Sequence, residues 1–169
     1  MNPRRAIRNW LARLGLVLTL ALLISSGTGC GRNGASPANP PPDAPVRTRG
    51  HFEVTARLVE IPDGAIFQRE LYDYATILKY EVITVHRGDV RPGLLYVGHY
   101  NPFKPRREAA DRRVKEIGGA LRRFRAGDVH RLALERPLDD HFMGGLVNKY
   151  FGQETGPLYW AVWTDPAAE

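Results

Sequence analysis

Five histidines are the residues in this chain best equipped for metal binding or proton transfer: His51, His86, His99, His130 and His141. None is spaced as a ligand pair of the His-Glu-x-x-His or His-x-His type. His86 and His99 flank a turn between two predicted strands and His130 falls on a further one, so one face of a β domain could gather them. Without such a cluster each is a surface or hydrogen-bonded histidine, and that is the expectation. Asp139, Asp140 and His141 combine two carboxylates with an imidazole after Pro137, a set able to hold a divalent cation or do acid/base work. Neighbouring loop carboxylates usually point apart, so a solvated loop is expected there. Ser25, Ser26 and Ser36 are the only serines and all precede the predicted domain, which excludes a Ser-His-Asp hydrolase. Cys30 is the only cysteine, so neither an intramolecular disulfide nor a Cys-based zinc site can form. No catalytic residue, metal or cofactor is expected.

The strongest local bias lies between residues 104 and 125. Lys104, Arg106, Arg107, Arg112, Arg113, Lys115, Arg122, Arg123 and Arg125 face only Glu108, Asp111 and Glu116. A basic surface of this kind can press on anionic phospholipid, lipopolysaccharide phosphate or an acidic polysaccharide. The competing expectation is a solvated helix whose arginines pair locally. Tyr150-Phe151, Tyr159-Trp160 and Trp163 could stack on sugar rings, although large aromatics are more often core. Trp160 is expected in the core. Arg87-Gly88-Asp89 reads as an ordinary strand-ending turn.

The formal charge of +6 misleads about partners. Four of the 24 basic residues (Arg4, Arg5, Arg8 and Arg13) and none of the 18 acidic ones lie in the first 29 positions, so the remainder carries a net of only +2. Whole-chain charge therefore does not argue for nucleic acid. The four arginines form a basic head. An apolar run from Leu14 to Ile24 follows, then Ser25-Ser26-Gly27-Thr28-Gly29 and Cys30. The run falls short of the ~20 residues of a bilayer span, so the order reads as an export signal. Arg4-Arg5 leaves a twin-arginine route open, and an uncleaved anchor is the weaker alternative.

The small residues before Cys30 resemble the lipobox of bacterial lipoproteins, except that Gly27 stands where that family usually has Leu. The resemblance implies a signal peptide over 1–29, removed so that a lipidated Cys30 becomes the first mature residue. With Gly31 next, it implies the outer membrane rather than the inner one. Residues 30–50 then read as a linker, with five prolines and three glycines in 31–50 and almost nothing to bury. The Pro40-Pro41-Pro42 run favours a stiff, extended tether.

One domain over 51–166 remains, enough for a single hydrophobic core. Alternation predicts a strand from Phe52, with a bulge near Leu58 because Val59 and Ile61 change face. Further strands are predicted over 77–85, 94–100, 129–134 and 158–164. Ala110, Val114, Ile117 and Leu121 form a stripe that predicts a helix over 106–117, supported by Glu108–Arg112 and Asp111–Lys115 pairs and ended by Gly118-Gly119. Five strands with a helix between the third and fourth resemble an all-β OB barrel. The stretch from Ile77 to Tyr100 is also similar to part of the netrin/inhibitor-type OB modules. A small sandwich with the same strand count stays open. The expected function is a non-enzymatic envelope module binding an anionic glycan, lipid or protein partner. The alternatives are an enzyme or accessory factor acting on envelope polysaccharide through the Asp139/His141 loop, and a structural subunit of an envelope complex.

Overall fold

The computed structural model of the protein describes residues 44–62 and 73–168. Six strands form the framework: β1 (Phe52–Glu60), β2 (Tyr74–Arg87), β3 (Leu94–Tyr100), β4 (Val129–Glu135), β5 (Gly145–Val147) and β6 (Tyr159–Pro166). β1 pairs antiparallel with β2 and β4, β2 with β3, and β4 with β6. The parallel pair β3–β6 closes the ring, giving a five-stranded OB-like barrel in the order β1-β2-β3-β6-β4. The short β5 adds to β2 in parallel, outside the ring. Val59 sits at a register break in β1, so the strand is bulged where its hydrophobic alternation changes face.

Alternation along β2 builds two cores from one strand. Leu78 and Tyr80 point into the barrel with Val54, Leu58, Val97, Leu132 and Leu134. Ala75 and Ile77, on the other face, are covered by Leu138, Phe142, Tyr150 and Trp160 from the chain after β4. Trp160 lies parallel to Phe142, ring centroids 5.2 Å apart. Each large side chain removed from water here contributes roughly 1.5–3 kcal/mol.

Residues 44–50, part of the expected linker, are packed on the barrel. Ala44–Arg47 form one helical turn (α1) with Val46 buried. The Arg87 guanidinium donates to the carbonyls of Val46, Arg47 and Arg49. Arg87 also pairs at 3.1 Å with the buried Glu53, which Arg131 holds from the other side.

The helix expected over 106–117 is only one turn, α2 (Arg106–Ala109). Asp111 accounts for the difference. Its Oδ1 accepts the amides of Arg113 and Val114 at 2.8 and 3.0 Å, and Tyr100 Oη donates to its Oδ2 at 2.7 Å. That local turn replaces the i→i+4 ladder. The expected Glu108–Arg112 and Asp111–Lys115 pairs do not form, and Glu108 pairs with Arg107 instead. Gly118 and Gly119 do not end a helix. β3 and β6 share only two residue pairs, and the chain at 118–121 bonds to the β6 edge beyond them. At Gly119 the backbone has φ +135°, and a Cβ there would lie 1.9 Å from the Thr164 carbonyl oxygen. Only glycine permits that approach.

Candidate functional site

The basic stretch crosses the barrel wall in three parts. Arg106, expected at the surface, is buried and structural. Its Nη2 donates to the carbonyls of Tyr100 (2.8 Å), Asn101 (2.6 Å) and Lys104 (3.3 Å), and its guanidinium lies over the Phe124 ring. Burial pulls its pKa down to about 10, so it stays charged at neutral pH. Arg107, Arg112, Arg113 and Lys115 are exposed before the buried Ile117–Gly119, and Arg122, Arg123 and Arg125 are exposed after it. Leu121 before the last three and Phe124 among them turn inward and anchor them to the barrel core. Arg107 pairs with Glu108, and Arg113 lies 3.6 Å from Asp73. Among the described residues, the side chains of Arg112, Lys115, Arg122, Arg123 and Arg125 have no hydrogen-bond or ion-pair partner. Arg49 adds a further cation, held over the ring of Trp163, the ring that Gly118 packs against. The chain leading back to the Pro-rich stretch therefore shares a surface with the basic crossing.

His141 joins this surface rather than the carboxylates beside it. A cavity of about 190 Å³ is lined by Arg113, Lys115, Glu116 and His141, with Trp160 and Val162. Asp139 opens instead onto a separate cavity of about 620 Å³ with Leu146, Asn148, Phe151 and Glu154. The Asp139, Asp140 and His141 side chains are all exposed and do not converge on one cavity. The wall carrying Arg113 and Lys115 is braced from below by the Tyr100–Asp111 bond. Burial opposes ionisation of Asp111, but the bonds from Tyr100 and from the amides of Val114 and Arg113 outweigh it and hold the carboxyl at about 2. Burial and the adjoining carboxylates push the Tyr100 hydroxyl up. Asp73 and Asn101, at the base of the brace, have φ of +64° and +44°. The Asn101 amide side chain accepts from the Asp73 N–H and donates to the Ala109 carbonyl, which stabilises that backbone.

Two of the five histidines do cluster, inside the barrel. Tyr80 Oη lies 3.3 Å from His99 Nε2 and 3.2 Å from His130 Nδ1. A hydroxyl has one proton, so it donates to one imidazole and accepts from the other. Phe124 packs edge-on against both rings. Burial, then the charges of Arg106 and His130, hold His99 well below its usual range. Burial lowers His130 to about 4 against the opposing charge of Asp128. Both imidazoles are fully buried and neutral at physiological pH, so no solute reaches them. His86 stands apart, bonded to Thr55 at 2.9 Å, and His51 pairs with Glu135. Among the described residues no group of three or more His, Cys, Asp or Glu side chains is placed to hold a metal ion.

Trp160, Tyr159 and Tyr150 are core residues, and Trp163 is half-buried. Phe142 and Tyr150 are buried, so they form no exposed apolar face with Phe151, which is 86% exposed. A third cavity, about 610 Å³, lies between the β2–β3 turn and residues 155–159, where Arg136 is already held over Phe52 and Tyr159. Cys30, the expected signal and residues 31–43 of the expected linker lie outside the described residues. Among the described residues no helix is long and apolar enough to cross a membrane.

Topology and core define the class of this protein: a small, closed, all-β barrel of OB type carrying a cationic crossing between its third and fourth strands. Comparison of the chain with protein-family models, curated proteins and solved structures found no match in any of the three.

Proposed function

We propose that the protein is a lipid-anchored module of the bacterial cell envelope, tethered through Cys30, whose barrel binds an anionic envelope component without catalysing a reaction. The single observation that carries the reading is the row of exposed cations at Arg112, Lys115, Arg122, Arg123 and Arg125, which no described acidic group neutralises. The backbone of the last three is fixed by Leu121, Phe124 and the β6 edge, and the turn leading to Arg112 and Lys115 is held by Asp111. Fixed cations attract a polyanion at modest cost in ordering, and the attraction weakens as salt screens it. Arg49 supports the same reading by bringing the segment that follows the tether onto this wall. An anionic glycan is the favoured partner, ahead of anionic lipid or an acidic protein. The separation of His141 from Asp139 speaks against polysaccharide chemistry at that loop. Outer-membrane attachment follows from Gly31 in the same reading.

Two measurements test it. Intact mass of the wild type and of Cys30→Ala, expressed in a bacterial host, is expected to show an acyl increment on a chain beginning at Cys30, lost in the variant. An unmodified wild-type chain would overturn the anchor. Binding to immobilised polygalacturonate is expected to weaken at least tenfold when the five unpaired cations are replaced by Gln. Equal binding by both forms, or binding by neither, would overturn the contact surface.

A further inference from the structure

We infer that the cavity bounded by Arg113, Lys115 and His141 is a subsite for a single acidic sugar ring, a uronate within a longer glycan. The inference rests on the binding function proposed above and names the part of the surface that reads the ligand. Its walls come from distant parts of the chain: residues 113–117, His141 after the turn at 138–140, and Trp160 and Val162 from β6.

The cavity's chemistry is mixed in a way that suits a sugar acid better than a bare anion. Arg113, Lys115 and His141 offer N–H donors to a carboxylate. Glu116, on the same wall, can only accept, and a ring hydroxyl supplies the donor that it needs. Val162, half-buried, with the little of Trp160 that the core leaves uncovered, gives a small apolar patch for the C–H edge of a ring. The volume, about 190 Å³, lies below the ~300 Å³ at which drug-sized pockets begin. One ring fits, and the cavity is open on its outer side for the chain to continue.

The walls are also set before a ligand arrives. Asp111 locks the turn bearing Arg113, and Tyr100 ties Asp111 to β3. Arg113 is steadied by Asp73 at 3.6 Å. On the opposite side the His141 amide donates to the Leu138 carbonyl at 2.9 Å, and the neighbouring Phe142 stacks on Trp160. Preorganised walls spare the ligand the cost of ordering them. The other two cavities lack this character: one carries Asp139 and Glu154, and in the other Arg136 is committed to aromatic rings.

The test uses the mature chain, with the indole N–H signal of Trp160 followed by NMR during titration with galacturonate, galactose or inorganic phosphate. Galacturonate is expected to shift that signal and to bind at least tenfold more tightly than galactose or phosphate. Lys115→Gln/His141→Gln is expected to lose at least tenfold in galacturonate affinity, while Arg122→Gln/Arg123→Gln, which removes at least as much charge away from the cavity, stays within twofold. Thermal midpoints of both variants within a few degrees of wild type show that the fold is kept. Equal losses in the two variants, equal binding of phosphate, or no galacturonate shift in a chain that still binds polygalacturonate would each overturn the subsite and leave the wider basic surface standing. Failure to bind the polymer as well would remove both.

Discussion

Two groups in this protein combine histidine, a cation and an aromatic ring, one sealed inside the barrel and the other open on its outer layer. Inside, Tyr80, His99 and His130 meet beside Phe124, with the Arg106 guanidinium on that same ring. Outside, Arg113, Lys115 and His141 surround a cavity with Trp160. The residue types are nearly the same, and burial assigns them opposite work. Sealed imidazoles are kept neutral and hold strands together, because a proton on either would be an unsolvated charge, on His99 one facing Arg106 as well. The exposed side chains of the outer group remain available to a ligand.

The largest effect should come from removing the cation that serves structure. Arg106→Met leaves the Tyr100 and Asn101 carbonyls without their charged donor, and each such bond is worth about 1.5–3 kcal/mol. A loss of about 3 kcal/mol or more is expected in urea unfolding. A change below 1 kcal/mol would mean that water replaces the guanidinium and that the interior is less sealed than described.

Acid should expose the same contrast. An unfolded histidine takes up its proton near pH 6.5, whereas folded His130 does so only near 4. Between those values the unfolded chain binds more protons, so stability present at neutral pH is lost as pH falls from about 6.5 toward 4. At ~1.36 kcal/mol per pH unit, His130 alone accounts for roughly 3 kcal/mol, and His99 adds in the same direction. Unfolding free energies at pH 7 and pH 4 check this, and His130→Phe is expected to flatten the profile.

The smallest effect concerns the brace that links the two regions. Tyr100→Phe removes the 2.7 Å bond to Asp111 and should cost about 1 kcal/mol. Its sharper readout is galacturonate affinity, expected to fall severalfold because the turn under Arg113 and Lys115 loosens. Affinity unchanged at the same cost in stability would separate the brace from the cavity.

The strands were legible because they obey a local rule. The third strand is bounded at Leu94 and Tyr100 both by its own pattern and in the fold, and the bulge at Val59 follows from a change of hydrophobic phase. Across residues 106–125 local pattern fails. Ile117 and Leu121 are apolar at helical spacing, and an extended crossing that dips into the barrel buries them equally well. What decides between the two is non-local: Tyr100 capturing Asp111, and the gap beyond the two residue pairs that β3 and β6 share, which Gly118 and Gly119 enter. The same limit applies to the site. Arg106 looks like its neighbours in composition yet is the one that is buried. His141 invites pairing with Asp139, and only the packing of Phe142 on Trp160 turns it toward Lys115, far away in sequence.

The most direct test of this division sets one variant from each region side by side, measuring both unfolding free energy and polygalacturonate affinity. His130→Phe is expected to shift stability and leave the affinity of the folded protein within twofold of wild type. Lys115→Gln/His141→Gln is expected to keep its stability within about 0.5 kcal/mol, as surface changes do, and to lose binding. Loss of binding in His130→Phe with its fold retained would contradict the assignment of function to the outer surface, and full binding in Lys115→Gln/His141→Gln would contradict the cavity's part in it.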